Sequence, residues 1–149
     1  IRNVTIAGNK GPSPAVALYS TARLSAVNSV VAYNSDKNDV TNGPSCRGSD
    51  GPAFSGLDHS CVFDDSCTNV AAKATVAGSI QKDPLFNLEM RKSQPYWSLR
   101  GTSPCKNTGA RLDYTADDVD LEGRPRVIGS RPDMGCYECA LGGMAIIVR

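Results

Sequence analysis

The chain has little of what most enzyme and nucleic-acid-binding motifs need. Among its 149 residues there is one histidine, and aromatic residues make up only 6%. That histidine, His59, has no serine or cysteine partner placed by a recognisable motif, so a nucleophile–base pair is not indicated. Charge of one sign is also lacking, because 16 basic and 15 acidic residues leave a net charge of +1. Such a balance attracts the chain neither to nucleic acid nor to an anionic membrane surface.

Long apolar runs and helical periodicity are missing as well. The longest apolar stretch, residues 140–148, is shorter than the ~20 residues that a membrane-spanning helix needs, and no secretory signal peptide opens the chain. No segment of twelve or more residues holds a 3.6-residue period, whereas 14 glycines and 9 prolines interrupt the chain often. These absences favour short strands and irregular turns over helices.

Two segments of the chain read almost alike. Asn3-Val4-Thr5-Ile6-Ala7-Gly8-Asn9 aligns with Asn28-Ser29-Val30-Val31-Ala32-Tyr33-Asn34, and the offset is 25 at both asparagines. Self-similarity at this spacing is typical of solenoids, in which neighbouring coils cover each other's apolar edges. Asparagines at one coil position can stack and pair their side-chain amides. The alternative is a chance similarity inside an ordinary globular domain.

Weaker copies of the repeat follow. A third is His59-Ser60-Cys61-Val62-Phe63-Asp64-Asp65, and a fourth combines Gly78-Ser79-Ile80 with Leu85-Phe86. The polar stretch 34–58 has the composition of a loop inserted between the second and third copies. Alternation along the strands predicts that Val4, Ile6, Ser29 and Val31 point inside.

The predicted fold is therefore all-β: a right-handed parallel β-helix (solenoid) of about four coils with an irregular C-terminal cap. The coils occupy residues 1–96, and residues 97–149 form the capping region of the same domain. Because the chain starts at Ile1 directly on a repeat, we expect a mature or excised piece of a longer precursor whose earlier coils are missing.

An acidic run is the best candidate for a metal site. Asp118, Asp120 and Glu122, followed by Gly123, imitate the start of an EF-hand loop, with oxygen ligands at alternate positions and a glycine for the turn. An EF-hand loop closes with a bidentate glutamate at its twelfth position, and that position is Gly129 in this chain. A calcium ion in an irregular loop and a turn salt-bridged by Arg124, Arg126 or Arg131 are the two interpretations. The second is favoured, so we expect no cofactor, with calcium as the possible exception.

Six cysteines allow several interpretations. They stand at positions 46, 61, 67, 105, 136 and 139, and Cys136-Tyr137-Glu138-Cys139 is formally a C-x-x-C. Zinc or redox chemistry would suit such a motif, but there is no second C-x-x-C and no βαβ pattern around this one. Disulfides in an oxidising compartment are the favoured interpretation, and buried free thiols the remaining one.

Five motifs in the second half of the chain carry a family resemblance. They are Asp83-Pro84-Leu85-Phe86, Tyr96-Trp97-Ser98-Leu99, Ser103-Pro104-Cys105-Lys106-Asn107-Thr108-Gly109, Asp118-Val119-Asp120-Leu121-Glu122-Gly123-Arg124-Pro125-Arg126, and Asp133-Met134-Gly135-Cys136-Tyr137-Glu138. In this order they resemble the C-terminal end of secreted right-handed parallel β-helix repeat proteins of the pectate-lyase-like superfamily. The resemblance implies the fold and an extracellular or cell-surface location, but it implies no particular activity.

The same resemblance implies a disulfide. Cys105 and Cys136 both replace small residues in neighbouring motifs of that family, so we expect them to be bonded to each other. Cys46 would then pair with Cys61 or Cys67.

Carbohydrate chemistry is the competing class of function. The adjacent pair Asp64-Asp65 can be weighed as catalytic, although a turn role is favoured. Tyr19, Tyr33, Tyr96 and Trp97 can be read as a sugar-binding strip, but packing is the more common role of aromatic residues beside strands. The sequence thus leaves open an enzyme fragment, either a polysaccharide lyase or a hydrolase, or a carbohydrate-binding module.

The favoured interpretation is an exported structural or adhesive protein that is not an enzyme. Its first repeat would be an open edge that must meet upstream coils of the same protein or further copies of itself, with a filament as one outcome. The residues predicted to form this assembly edge are Asn3, Val4, Ile6 and Asn9. Polysaccharide is a possible additional partner.

Overall fold

The computed structural model describes residues 1–11, 16–18, 24–36, 46–48, 54–63, 78–89 and 96–139. Within these ranges the chain forms short strands and no helix. The strands are β1 (Thr5–Ala7), β2 (Lys10–Gly11), β3 (Val16–Leu18), β4 (Leu24–Val27), β5 (Val30–Ala32), β6 (Ser35–Asp36), β7 (Cys46–Gly48), β8 (Phe54–Asp58) and β9 (Cys61–Phe63).

All pairings between these strands are parallel. Strands β1, β5 and β9 form a three-stranded sheet in that order, while β2 pairs with β6, β3 with β7 and β4 with β8. Thr5 lies beside Val30, and Val30 lies beside Cys61. The alignment of the first, second and third copies that the sequence predicts is therefore confirmed by the register of the sheet.

The predicted architecture is nevertheless wrong for the described residues. In place of a right-handed parallel β-helix of about four coils, the described strands form one three-stranded and three two-stranded sheets, and no closed solenoid is seen among them. The fourth copy contributes only an isolated bridge between Ile80 and Cys61. Its β-prone run is short because Gly78, with φ of +88°, precedes it and Pro84, which has no N–H to donate, follows it.

Residues 96–139 consist of turns with isolated bridges in place of strands. Their two bridges of this kind, Phe86 with Leu99 and Val119 with Pro125, are antiparallel. This region still shares its core with the strands, in a buried cluster formed by Val30, Ala32, Cys61, Phe86, Leu99, Cys105 and Met134. The division at residues 96 and 97 stays a prediction.

The prediction that Val31 lies inside is confirmed, but the opposite face of β5, which alternation would leave exposed, is buried as well. Val30 and Ala32, both 0% exposed, belong to the core cluster, and Ala7 packs against it. Val31, which the alternation placed inside, is 1% exposed but lies outside that cluster. Strand β5 is thus buried on both faces. Alternation shows which residues share a face, but Met134 and Leu99, which come from distant segments, decide which face meets the main core.

The corners between strands explain why asparagine bounds the repeat. Asn3, Asn28 and His59 occupy the same place in successive copies and have φ of 53°, 49° and 43°. This left-handed region disfavours most side chains, but asparagine tolerates it better than most. The asparagine that starts each of the first two copies therefore serves the turn as well as any side-chain pairing.

Candidate functional site

The outer side of β1 is the candidate interaction site. We call residues 3–9 the first-repeat edge; it contains the predicted assembly residues Asn3, Val4, Ile6 and Asn9. On one side β1 pairs with β5, and on the other side no described strand pairs with it. An edge strand of this kind presents unpaired N–H and C=O groups to another chain. Val4 and Ile6 are half-buried, and Asn9 is exposed.

An asparagine pair closes this edge at its C-terminal end. The backbone N–H and the side-chain Nδ2 of Asn9 both donate to Oδ1 of Asn34, at 3.0 and 2.9 Å. The Nδ2 of Asn34 donates in turn to the carbonyl oxygen of Ile6 at 3.0 Å. The amide pairing predicted from the repeat is confirmed here. No donor from the described part of the chain reaches the Oδ1 of Asn9, so the ladder can extend outward by one more residue.

The N-terminal asparagine pair is bridged by a tyrosine from the distant C-terminal region. Asn28 donates its Nδ2 to the hydroxyl of Tyr114 at 2.8 Å, and that hydroxyl donates to Oδ1 of Asn3 at 2.8 Å. Asn28 also accepts from the backbone N–H of Ala110 at 2.6 Å. The direct stacking of Asn3 on Asn28 that the repeat suggested is therefore replaced by a bridge, which fastens residues 110–114 to the first two repeats.

A ladder of serine hydroxyls was missed by sequence reasoning. The Oγ of Ser29 accepts from the N–H of Val4, the Oγ of Ser60 from the N–H of Ser29, and the Oγ of Ser79 from the N–H of Ser60, at 3.2, 3.1 and 3.3 Å. Each hydroxyl donates to a backbone carbonyl near the end of β4 or β8: Ser29 to Val27, Ser60 to Asp58 and Ser79 to Leu57. The available signal was a serine directly after each corner residue. The first copy hides it, because Val4 stands at that position and ends the ladder.

The acidic run forms a hydrogen-bonded and salt-bridged turn. Asp120 is buried, and its Oδ1 accepts from the N–H groups of Glu122 and Arg124 at 2.8 and 2.9 Å. Arg124 lies 3.6 Å from Asp120 and also pairs with Glu122. Asp118 accepts from the N–H and hydroxyl of Thr115, and these bonds lower the pKa of its carboxyl. The favoured interpretation, a turn salt-bridged by Arg124, is confirmed.

The expectation that this turn needs no calcium stays a prediction. In the part of the chain that the structure describes, no group of three or more His, Cys, Asp or Glu side chains is arranged to hold a metal ion. Asp120 accepts from backbone N–H groups, Asp118 accepts from Thr115 and Glu122 pairs with Arg124, so each of the three carboxylates already has a partner. We therefore still expect that a chelator leaves the melting temperature unchanged within a degree or two, and a fall of many degrees in the presence of EDTA would contradict this.

A buried ionic cluster lies beside that turn. Arg126, Asp133 and Glu138 are 3%, 1% and 1% exposed, and Nη2 of Arg126 lies 2.6 Å from Oε1 of Glu138. The carboxylate of Asp133 accepts from the N–H groups of Asn107 and Cys139, both at 2.6 Å. Burial raises the pKa of Glu138 to about 8 against the opposing effect of Arg126, and burial also raises the pKa of Asp133. These groups tie residues 107, 126 and 133–139 together.

The cysteines that the structure describes with their side chains are all free thiols, namely Cys61, Cys105, Cys136 and Cys139. Cys61 and Cys105 are fully buried, whereas Cys136 and Cys139 are half-buried. The predicted bond between Cys105 and Cys136 stays a prediction. Cys46 lies in β7, and its side chain and the whole of Cys67 lie outside the described residues.

The aromatic residues form a packed cluster. Tyr33 lies 5.7 Å from Phe63 and 5.9 Å from Phe86, and Trp97 lies 5.4 Å from Phe86 and 5.0 Å from Tyr96. The Tyr33 hydroxyl donates to Asp83. Only Tyr96, at 42%, is substantially exposed among these rings, which fits the packing interpretation. Tyr19, Asp64 and Asp65 lie outside the described residues.

The lone histidine has a carboxylate neighbour. Nδ1 of His59 lies 2.6 Å from Oδ1 of Asp58, and its ring fills the space above the Cα of Gly78. A Cβ at Gly78 would come within 2.6 Å of the ring Nε2, so the ring is packed against the backbone. His59 thus helps to form the corner between the third and fourth copies.

Comparison of the chain with protein-family models, with curated proteins and with solved structures found no match. The resemblance to pectate-lyase-like proteins thus stays a prediction from the five motifs. Among the described residues there is also no helix of the length and apolarity that crossing a membrane requires.

Proposed function

We propose that this chain is an extracellular structural module that associates with further polypeptide through its first-repeat edge. The observation that carries the proposal is the position of β1 at the outside of the three-stranded parallel sheet, with only β5 paired to it in the described structure. Strand addition at such an edge gives ordered association through main-chain hydrogen bonds. An even set of six cysteines favours the oxidising compartment outside the cell.

The occupant that fits this edge is a parallel strand of one further repeat. In parallel strands, successive residues direct their N–H and C=O groups to alternate sides. The carbonyl of Val4 accepts from the N–H of Val30 at 2.8 Å, so Thr5 and Ala7 direct their main-chain groups away from β5. A strand that ends in asparagine, like 28–34, would also bring a side-chain amide to Oδ1 of Asn9.

A second copy stacked head to tail fits less well. The opposite edge of the sheet is β9, and the third copy is already bonded to Ile80 on that side, through Val62 N to Ile80 O at 3.1 Å and Ile80 N to Ser60 O at 2.9 Å. This contact covers the edge on which the β1 strand of another molecule would have to stack. The first-repeat edge is therefore matched better by a further repeat than by the far end of another copy.

The polar groups of the described core favour a structural role over catalysis. Asp83 accepts from the Tyr33 hydroxyl and from the N–H of Leu85, and Asp120 and Asp133 each accept backbone N–H groups. Carboxylates used in this way hold loops in place and have few lone pairs left for a substrate. Sugar release from an acidic polysaccharide by this chain would instead favour the carbohydrate-active alternative.

Binding of a synthetic repeat peptide tests the proposal. A fluorescent peptide with the sequence of residues 24–36 should bind the chain saturably, as measured by anisotropy, and a scrambled peptide should not. Ala7→Pro removes an outward N–H and should weaken binding by at least tenfold, whereas Ala7→Ser keeps the N–H and should bind normally. Absence of binding, or equal binding by both variants, contradicts the proposal. If the chain sediments as a stable dimer and crosslinks form through residues 1–9, the occupant of the first-repeat edge is a second copy and not a further repeat.

A further inference from the structure

The hairpin formed by residues 118–127 exposes its apolar side chains and buries its charged ones. Val119 and Pro125 form an antiparallel bridge across it, and exposed and buried residues alternate along both arms. Asp120 and Arg126 are 6% and 3% exposed. The large apolar residues on the other side are 54%, 71% and 40% exposed, and we call them the apolar turn face: Val119, Leu121 and Val127.

Bonds to Glu138 hold the charged side of the hairpin toward the interior. The N–H of Glu138 donates to Oδ2 of Asp120 at 2.9 Å, and Nη2 of Arg126 lies 2.6 Å from Oε1 of Glu138. These bonds keep the apolar turn face directed outward. Antiparallel strands with one face in water normally have the reverse arrangement, with apolar residues inside and polar residues outside. Large apolar side chains that are exposed together are typical of an interaction surface.

The apolar turn face lies beside the outermost repeat. The N–H of Gly135 donates to the carbonyl of Asn28 in the second copy at 2.7 Å. The N–H of the next residue, Cys136, donates to Oγ1 of Thr5 in the first copy at 3.1 Å. The chain therefore steps from the second copy to the first, toward the outer side of β1. The carbonyl of Cys136 accepts from the N–H of Leu121 at 3.1 Å, which fastens the hairpin next to β1.

The segment that leads into the hairpin is fastened to the same copy. Asp113 pairs with Arg2 at 3.1 Å, and the Tyr114 hydroxyl donates to Oδ1 of Asn3 at 2.8 Å. The hairpin is thus connected to the first copy at its start as well as at its middle. The apolar turn face and the first-repeat edge are continuous with each other, so one partner can cover both.

We propose that the further repeat which adds its strand to β1 also packs apolar side chains on the apolar turn face. This second contact rests on the proposed function and deepens it, because it assigns another surface to the same partner. Thr5 lies beside Val30 in the sheet. The residue at the same position of the added strand therefore stands on the outer side of Thr5, where Leu121 follows Cys136. A β-branched apolar residue there, like Val30 in the second copy, would remove the side chain of Leu121 from water.

The apolar turn face gives the association its preference for one kind of partner. Main-chain hydrogen bonds along β1 supply affinity for any extended strand, whereas side-chain contacts distinguish between sequences. If the corner asparagine is counted as the first position of a repeat, Val30 stands at the third. The preferred partner is a repeat with an apolar residue at this third position.

Binding of the fluorescent 24–36 peptide to hairpin variants tests the second contact. Leu121→Ser should weaken binding about fivefold, and Val119→Thr, which keeps the shape of the side chain, about twofold, because apolar surface is lost from the interface. The control is Leu88→Ser, since Leu88 is 45% exposed but follows the fourth copy, and this variant should bind normally. All three positions are exposed, so the melting temperatures should stay within about 2 °C of the wild type.

A peptide that carries Val30→Ser identifies the residue that meets the hairpin. It should bind the wild-type chain about fivefold more weakly than the unchanged peptide does. On Leu121→Ser the same change should cost less than about twofold, because the partner of Val30 is already missing. Equal losses on the two chains would overturn the contact between the third position and Leu121.

Comparison with Ala7→Pro separates the second contact from the proposed function. If Ala7→Pro weakens binding but Leu121→Ser and Val119→Thr do not, the strand adds at β1 and the second contact is wrong. If only the hairpin variants weaken binding, the peptide binds without strand addition, which contradicts both. A wild type that does not bind the peptide also contradicts both. A wild-type dimer that Leu121→Ser dissociates would assign the apolar turn face to a second copy and overturn the proposal.

Discussion

At the scale of single residues, Gly135 is required both by its backbone and by its surroundings. Its φ is +101°, and a Cβ added there would lie 2.7 Å from Oγ1 of Thr5 and 3.4 Å from Cγ2 of Val30. The same Thr5 hydroxyl accepts from the N–H of Cys136 at 3.1 Å. A side chain at this position would push the C-terminal region away from the first two repeats.

We therefore predict that Gly135→Ala lowers the free energy of unfolding by about 2–4 kcal/mol. The matched control is Gly123→Ala. Gly123 also has a positive φ, +78°, but no atom lies within 4 Å of an added Cβ. Only backbone strain is expected there, about 1 kcal/mol. Chemical denaturation measures both, and equal losses would show that the contact with Thr5 does not matter.

The buried carboxyl of Glu138 predicts a dependence of stability on pH. Burial raises its pKa to about 8 in the folded protein, above the value of about 4.3 expected when unfolded. The folded state therefore holds its proton more tightly. Its stabilising contribution is complete below pH ~4.3 and is lost as the pH rises through about 8. The buried carboxyl of Asp133, whose pKa is also raised, acts in the same direction.

Glu138→Gln should flatten this dependence. The change removes the titrating proton, so the loss of unfolding free energy between pH 5 and pH 8 should shrink by an amount on the order of 1–3 kcal/mol. The substitution also leaves Arg126 without its carboxylate partner, so the variant will be less stable overall. For that reason, the wild type and the variant are compared by the slope of the unfolding free energy against pH, and not by its absolute value. An unchanged slope in urea denaturation across this range would contradict the prediction.

At the scale of elements, the sheet shows how far alternation can be used. Alternation places Val31 and Ala32 on opposite faces of β5 and Val31 inside, which is correct, but it does not show that the opposite face is buried too. Ala32 contacts the core cluster, and Val31 is buried on the other side. Because both residues are buried, an aspartate at either position would place an unpaired carboxylate in the protein interior.

We predict that Val31→Asp and Ala32→Asp each destabilise the fold by at least about 3 kcal/mol. The control is Ser25→Asp in β4, at an exposed position, which should change stability by less than about 0.5 kcal/mol. Alternation with Val31 inside would leave Ala32 exposed, so the sequence alone predicts that Ala32→Asp is tolerated. A melting temperature of Ala32→Asp equal to that of the control would restore that expectation and refute the present assignment.

At the scale of the whole molecule, the C-terminal region holds the first two repeats together. Tyr114 bridges Asn3 and Asn28 through its hydroxyl, and the guanidinium of Arg2 lies 4.5 Å from the centre of its ring. Arg2 also pairs with Asp113 at 3.1 Å. These contacts connect residues at least 86 positions apart, so the strands and the C-terminal turns are expected to unfold together.

We predict that Tyr114→Phe costs about 1–3 kcal/mol, because the buried amide of Asn28 and the half-buried amide of Asn3 each lose a hydrogen-bond partner. Tyr96→Phe serves as the control, since Tyr96 is 42% exposed and its change should cost less than about 0.5 kcal/mol. Hydrogen exchange of the N–H groups in β1 should also become faster in Tyr114→Phe. Unchanged stability and exchange would show that the bridge has no energetic role.

The sequence by itself determined the features that its repeat and its short motifs carry. The offset of 25 between the first two copies and the pairing of Asn9 with Asn34 follow from the repeat, the turn salt-bridged by Arg124 follows from a local motif, and the structure confirms each of them. The serine ladder was equally local, but Val4 interrupts the pattern in the first copy and concealed it.

Only the tertiary structure decided the features made by distant segments. The number of stacked copies, the face of β5 that meets the core cluster and the insertion of Tyr114 between Asn3 and Asn28 all depend on where residues 80–89 and 96–139 fold back. A periodic pattern shows that two faces exist, but it carries no information on which distant side chains will cover each one. That choice is made by packing, because the core must be filled and its polar groups bonded at the same time.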